Sequence, residues 1–443
     1  MKIANKIKNL SQHKKNIISN SMWLLLEKGY KLGLGFFVVS YVARYLGPHD
    51  FGMLSYALAI ISLTIPVANL GLRNIIKKEM ILKDSPLYLI LGSSFCIRAI
   101  SSFIIFIILL FFSFTHGEPN QPTLIIIMAI SLLVNPFDQL EDYFASKLNS
   151  KKSVRASLIA LTVSSSFKLT FILLEMSVVY FAIAQLTEVL TYSAFLIFFY
   201  SKEGGSLFNW KPSKEIILDS LSKSWPLMFS GLAILIYMRI DQYMLNNMID
   251  ASAVGIYSIA VKLSEIWYFI PTIIMTSFFP NIISNRTSNP IKYKIQTKQL
   301  MMLMSALSLL ISIPLYFLAP LIVPLIFGDQ YLASVPVLQI HIWSSLFVFW
   351  GVSQSAWDIS ENLTRLSLMR TSIGAVSNII LNFFLIPKFG VKGAAYATVI
   401  SQSLSAFILN LLHKNTRPIF MTQIKSLFFW NAISLQRKEL NDK

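Results

Sequence analysis

The chain alternates long apolar runs with short polar segments along most of its length. A helix needs about 20 mostly apolar residues to cross a bilayer, and twelve runs reach that length or come close to it. They lie at 17–45, 51–72, 87–114, 123–145, 154–174, 178–200, 225–248, 253–283, 300–318, 333–357, 366–386 and 391–412. This pattern predicts an all-α integral membrane protein with about twelve transmembrane helices.

The composition agrees with the pattern. Hydrophobic residues make up 55% of the chain and charged residues 13%, and the mean hydropathy is +0.61. Soluble domains carry about 25% charged residues. The longest polar segment, 201–224, is too short to form a soluble domain, so we expect the function to take place within or across the membrane.

The basic residues are strongly biased to one side of the predicted membrane. The segment before the first run and those after the second, fourth, sixth, eighth, tenth and twelfth runs hold, with their edges, 29 of the 38 Lys and Arg residues. The segments on the other side hold three, Arg44, Lys388 and Lys392. Short loops rich in Lys and Arg stay in the cytoplasm. We therefore predict a bacterial inner-membrane protein with both termini in the cytoplasm. This bias and attraction to anionic lipids account for the net charge of +17, so nucleic acid is not a predicted partner.

The two halves of the chain show a weak internal repeat. Residues 51–57 are echoed at 254–260, and residues 171–199 at 384–412. Repeats six helices apart in the same orientation predict two six-helix bundles, 17–200 and 225–412, around a central cavity that opens to each side in turn. The remaining predicted parts are a basic cytoplasmic N-terminus (1–16), a cytoplasmic linker (201–224) and an amphipathic cytoplasmic tail (413–443).

Six basic residues remain at membrane depth. Each costs at least about 2.5 kcal/mol at the centre of a helix, so such residues face a bundle interior or an aqueous cavity. They are Lys28, Lys31, Arg98, Lys168, Arg239 and Lys262. Arg and Lys are the side chains that recognise phosphate groups. The set predicts a cationic cavity that binds a phosphorylated substrate.

Five acidic residues at similar depth are candidates for coupling transport to H⁺ or Na⁺, because membrane-depth carboxylates commonly carry such ions. They are Glu27, Asp138, Glu188, Asp241 and Glu265. No other cofactor or metal is predicted.

Spacing suggests which charges neutralise each other within one helix. The candidate pairs are Glu27 with Lys31, Arg239 with Asp241, and Lys262 with Glu265. Lys28, Arg98 and Lys168 have no opposite charge three or four residues away on the same face of their own helix. Their anionic partner must come from another helix or from a substrate.

Several motifs resemble those of a known family. They include ARYLGP at 43–48, FGMLSYA at 51–57, LGLR at 70–73, GIYSIA at 255–260, KLSE at 262–265, PKFG at 387–390 and GAAYAT at 393–398. The chain resembles the Wzx-type O-antigen flippases, in the polysaccharide transporter branch of the multidrug/oligosaccharidyl-lipid/polysaccharide (MOP) exporter superfamily. The resemblance runs from Asn20 to Leu412. It is weaker over 87–174, so Arg98, Asp138 and Lys168 rest on the bilayer argument alone.

The resemblance implies a transporter rather than an enzyme. Such a protein moves an undecaprenyl-diphosphate-linked oligosaccharide from the cytoplasmic to the periplasmic leaflet, by ion-coupled alternating access. Membrane lipids, a polysaccharide polymerase and assembly proteins are the other partners it implies.

Two alternatives stay open. One is multidrug efflux by a relative in the same superfamily, and the other is an O-antigen polymerase. The short outer segments argue against the polymerase, and no G-x-x-x-x-G-K-[ST] motif for ATP hydrolysis occurs.

Overall fold

The computed structural model describes residues 12–82, 85–115 and 118–428, and these contain helices, turns and no strand. The chain divides into two compact units, 1–232 and 233–443. Unit 1 contains α1 (Gln12–Tyr30), α2 (Phe36–Asn69), α3 (Arg73–Leu82), α4 (Leu87–Thr115), α5 (Gln121–Val134), α6 (Gln139–Ser146), α7 (Lys151–Leu173), α8 (Val178–Lys202) and the first half of α9 (Lys214–Met248).

Unit 2 begins within α9. It continues with α10 (Ala251–Glu265), α11 (Phe269–Ser288), α12 (Pro290–Phe327), α13 (Ser334–His341), α14 (Ser344–Ser360), α15 (Thr364–Phe389), α16 (Val391–Ser403), α17 (Leu409–Leu412) and α18 (Arg417–Ser426). The helices of each unit therefore follow the predicted apolar runs closely.

The first two predicted crossings form one long helical stretch. Ser19–Asn69 spans 51 residues, or about 75 Å at 1.5 Å per residue, which is more than twice the hydrocarbon thickness of a bilayer. Gly47, at φ 73° and ψ 174°, breaks the helix just before Pro48. The stretch is thus two crossings. Over the described residues, eleven stretches are long and apolar enough to span a membrane, and the first accounts for two predicted runs.

Helix α9 begins within the predicted linker. Its N-terminal turns are polar on one face, but Ile217 and Leu221 pack against the core of unit 1. Burial of these two side chains stabilises helix where charge alone suggests a loop. The boundary between the units, after Leu232, lies inside this helix.

The core of unit 1 forms around the short amphipathic helix α3. Leu72, Ile76 and Met80 are buried among apolar side chains of α4, α6 and α8. The preceding turn contains Gly71 at φ +66°, where an added Cβ would lie 2.5 Å from the backbone nitrogen of Met228. This close approach requires glycine.

The tail helix α18 is part of unit 2. Ile419 is buried in the same cluster as Trp350 and Met304, and the Ser426 and Ser305 hydroxyls are 2.6 Å apart. The tail therefore packs on the unit through an apolar face. The predicted amphipathic segment runs further, and residues 429–443 lie outside the described part of the chain.

Candidate functional site

Unit 2 contains a partly open cavity of 390 Å³, which is lined by two of the predicted ion-coupling carboxylates. Its wall combines aromatic and polar side chains from α9, α10, α13, α14, α15 and α16. Those used below are Asp241, Glu265, Asp358, Arg370 and Thr398.

Asp241 is 1% exposed and is surrounded by neutral donors from three other helices. The Tyr257 hydroxyl donates to its Oδ2 at 2.5 Å, and the Thr398 hydroxyl at 2.6 Å. Its Oδ1 accepts a hydrogen bond from the Asn382 amide. A buried carboxylate normally has a cationic partner or carries a proton. Asp241 is therefore suited to take up a cation.

Further oxygen atoms belong to the hydrogen-bond partners of this carboxylate or lie next to them. Asn382 Oδ1 is buried with no hydrogen-bond partner among the described residues, and the Asn382 amide nitrogen lies 3.1 Å from Asn378 Oδ1. The Ala394 carbonyl oxygen is 3.0 Å from Thr398 Oγ1. Carboxylate, amide, hydroxyl and carbonyl oxygens are ligands for small hard cations. The arrangement therefore combines an acidic group that can carry a proton with oxygen atoms of the types that bind small cations.

Arg239 does not pair with Asp241, so that predicted pair is wrong. Residues two apart on a helix point to different faces, and Arg239 Nη2 instead lies 3.1 Å from Glu265 Oε2 on α10. The hydrogen-bond partners described for Asp241 are consequently the neutral donors Tyr257, Thr398 and Asn382. Glu265, which the sequence placed with Lys262, has Arg239 as its hydrogen-bonded cation.

A buried ion pair at another part of the cavity wall was missed by the sequence reasoning. Arg370 Nη2 is 2.6 Å from Asp358 Oδ2, with both side chains at most 6% exposed. Arg370 also donates to Asn410, whose amide group lies 2.9 Å from that of Gln354. Arg370 is near the start of its apolar run, so the charge pattern assigns it to the neighbouring polar segment. The position of Arg370 inside the apolar run 366–386 is the sequence signal that indicates membrane depth.

Arg98 lies in the interior of unit 1 and is 2% exposed. Its Nη2 is 3.9 Å from Asp142 Oδ2, and Nε and Nη2 have no hydrogen-bond partner among the described residues. Asp142 is closer to Arg73, whose Nε lies 3.0 Å away, and Arg73 also contacts Glu141 at 2.5 Å. Arg98 therefore has an acidic neighbour from another helix, as its lone position predicts.

Arg73 and Asp138 complete this part of unit 1. Burial alone would lower the pKa of Arg73, but the charges of Glu141 and Asp142 outweigh it and raise the pKa above its ordinary value. Asp138 Oδ1 is buried with no hydrogen-bond partner in the described chain. Asp138 therefore differs from Asp241, both of whose carboxylate oxygens accept hydrogen bonds.

The other predicted residues fall into two groups. Lys168 is buried between α7 and α8, where it donates to Gln185 at 3.0 Å and lies 3.7 Å from Glu188. Glu27 and Lys31 form the predicted pair at 2.7 Å, with the Lys31 side chain 51% exposed and that of Glu27 17% exposed. 

Lys28 is exposed on the same helix, and Lys262 is half-buried in α10. The structure thus distributes the predicted basic residues between the two units.

Comparison with known families agrees with this fold. The model of a family described as "Polysaccharide biosynthesis protein" matches residues 17–286, more than half of the chain. The chain belongs to this family. The predicted membership of the polysaccharide transporter branch is confirmed, and the protein is a multi-pass membrane protein.

Two relatives align with most of this chain. A Shigella flexneri protein named "Putative O-antigen transporter" is 22% identical over 91% of this chain and 99% of its own. The "Probable low-salt glycan biosynthesis flippase Agl15" of Haloferax volcanii is 24% identical over 89% of this chain and 82% of its own. A shorter match, 27% identical, joins 39% of this chain to 37% of the "Probable flippase AglR" of the same organism.

Solved structures share the fold. Lipid II flippase MurJ in an inward closed conformation matches with a TM-score of 0.69 and 15% identity, over 95% of this chain and 93% of its own. An inward-facing MATE family transporter of the MOP superfamily matches with a TM-score of 0.68 and 16% identity, over 89% and 96%. The predicted fold class, an all-α integral membrane protein, is confirmed, and the fold is that of these solved structures.

Proposed function

We propose that the protein is a flippase for undecaprenyl-diphosphate-linked O-antigen or a similar surface-polysaccharide repeat unit. It moves the lipid-linked oligosaccharide from the cytoplasmic to the periplasmic leaflet of the bacterial inner membrane. The observation that carries the proposal is the match to the Shigella flexneri O-antigen relative over 99% of that protein. The family match and the flippase fold support the same conclusion.

Asp241 supplies the coupling to an ion gradient. Asp241 lies on α9, and its hydrogen-bond partners lie on α10, α15 and α16. A cation bound at this carboxylate therefore draws four helices of unit 2 together. When the cation leaves, a buried carboxylate without a cationic partner remains, and that state favours a different packing of the same helices. A ligand that binds one arrangement better than the other shifts the equilibrium between them. The cation is H⁺ or Na⁺.

The diphosphate of the substrate meets basic residues. Lys28 is exposed and forms no ion pair with the described residues, so its charge is available to an anion. Arg98 and Lys168 have carboxylate neighbours in unit 1. We expect Lys28 to bind substrate and Arg98 and Lys168 to hold the structure around it.

Complementation of a flippase-deleted host tests the proposal. The wild-type chain should restore surface polysaccharide and clear the lipid-linked intermediates, which mass spectrometry identifies. Asp241→Asn keeps the size of the side chain but removes the charge that holds a cation, so we expect at least about a 5-fold loss of surface polysaccharide, the lower range of coupling effects.

Asp219→Asn is the matched control. Asp219 is an exposed carboxylate on the same helix, paired with Lys223 one turn away, and its loss should leave complementation intact. Failure of the wild-type chain to clear any lipid-linked intermediate would contradict the flippase function. Full activity of Asp241→Asn would contradict the coupling site alone.

Efflux of cationic compounds is the second candidate. The cavity of unit 2 is lined by three carboxylates, Asp241, Glu265 and Asp358, and by one arginine, Arg370. An acidic wall suits a cationic substrate. Export of a cationic dye by the wild-type protein, without clearance of lipid-linked intermediates, would favour this function.

A further inference from the structure

Two basic side chains lie over the ring of one tryptophan in unit 1. Lys151 Nζ lies 5.2 Å from the centre of the Trp23 ring, and the Arg155 guanidinium carbon lies 5.5 Å from it. Trp23 is on α1, and both basic residues are in the first turns of α7. We call Trp23, Lys151 and Arg155 the Trp23 cluster.

The cluster is held in place by its neighbours. Asn20 Oδ1 accepts a hydrogen bond from the backbone nitrogen of Ser150 at 2.7 Å, which joins α1 to the start of α7. Glu203 fixes the other side of the same helix end, because it accepts from Lys152 at 2.5 Å and from Asn149 at 3.1 Å. The geometry of the cluster therefore follows from contacts outside it.

Glu203 neutralises the charge of Lys152. Among the described residues, no acidic side chain pairs with the two basic residues of the cluster. Lys151 and Arg155 are exposed, and neither forms an ion pair within the described ranges. They lie at the N-terminal end of α7, which has no acidic residue in its first turn. That end of a helix carries partial positive charge and favours anions. Two cations there, beside an electron-rich ring that attracts them only weakly, create a strongly anion-seeking surface.

An apolar surface adjoins this charge. On α1, Met22 is 64% exposed, Leu25 48% and Leu26 51%, within one turn of Trp23. Tryptophan commonly sits at the level of lipid headgroups. The cluster thus combines a cationic end with an apolar strip on one membrane-spanning helix pair.

We propose that the Trp23 cluster binds an anionic phospholipid of the leaflet that it faces. Lys151 and Arg155 bind the phosphate, Trp23 lies at the headgroup level, and the acyl chains lie along the exposed apolar residues of α1. Basic residues near a membrane surface bind anionic lipids additively. This site is separate from Asp241 and its occupant is a structural lipid, so it stands independently of the transported substrate.

Lipid binding to the purified full-length protein tests the site. Native mass spectrometry should show phosphatidylglycerol bound in preference to phosphatidylcholine. In the double variant Lys151→Gln/Arg155→Gln we expect roughly 30-fold weaker binding of phosphatidylglycerol, from the loss of two basic contacts. The swap Lys151→Arg/Arg155→Lys keeps both charges and should retain most of the binding.

Lys292→Gln/Lys294→Gln removes the same charge from exposed positions near the start of α12 and should bind the lipid like the wild type. Equal binding by the wild type and the Lys151/Arg155 variant would overturn the proposal. An equal loss in the Lys292/Lys294 control would overturn it too, because the effect would then be one of net charge. Inorganic phosphate should not displace the lipid, and displacement would contradict the acyl-chain contact.

Discussion

At the scale of single residues, each buried charge is defined by the donors and acceptors that other helices bring to it. Glu27 and Lys31 pair at 2.7 Å as their spacing predicts, because residues four apart share a helix face. Asp241 has no such neighbour. Its hydrogen-bond partners lie far away in sequence, and the nearest basic residue along the chain turns to Glu265.

Glu203 gives a pH-dependent contribution to stability. Burial opposes its ionisation, but hydrogen bonds from Lys152 and Tyr143 and the charge of Lys147 outweigh burial and lower its pKa. A carboxylate with a lowered pKa in the folded state stabilises that state above its ordinary pKa, and loses this contribution as the pH falls toward the folded value.

We therefore expect the unfolding temperature of the wild type to fall more than that of Glu203→Gln when the pH is lowered from about 6 to about 4. This range includes the ordinary pKa of glutamate. Thermal unfolding of the purified protein measures the difference. Parallel curves for the two proteins would contradict the assigned hydrogen bonds.

The Arg370–Asp358 pair should be costly to break on one side. Asp358→Ala leaves a buried guanidinium without its carboxylate, which typically costs about 3–5 kcal/mol. The double variant Asp358→Leu/Arg370→Met removes both charges and should recover much of that loss. Chemical or thermal unfolding compares the three proteins. A double variant no more stable than Asp358→Ala would show that the Arg370 charge has other essential partners.

At the scale of elements, helix ends depend on local backbone chemistry and on what the next segment can bury. Gly47 and Pro48 divide a 51-residue helical stretch into two crossings. Helix α9 extends to Lys214 because Ile217 and Leu221 reach the core of unit 1. The apolar pattern located both helices, but only packing decided where α9 begins.

Two glycines at positive φ allow the cost of a left-handed backbone to be compared with the cost of a steric clash. Gly71 has φ +66° and no room for a Cβ, whereas Gly204 has φ +81° and nothing within 4 Å of the Cβ position. Gly204→Ala should cost about 1–2 kcal/mol of folding free energy, the penalty for left-handed backbone. Gly71→Ala should cost more, since α3 must also move away from α9. Unfolding measurements on both variants test this order, and the reverse order would contradict the packing of Gly71.

At the scale of the whole molecule, two units share one membrane-transporter fold that resembles MurJ and MATE proteins at 15–16% identity. Such low identity preserves the length and order of apolar helices while most side chains change. One fold can host different functions in different proteins, so the function of this chain has to be argued from its own charged sites.

The sequence by itself determined the membrane spans and the family. Each span depends on the local length of an apolar run relative to the bilayer, and the family motifs are contiguous. Tertiary structure alone decided the partners of the buried charges. Thr398 lies 157 positions from Asp241, and Asp358 and Arg370 lie on different helices. Pairings of this kind arise from helix packing, and helical periodicity within one segment carries no information about them.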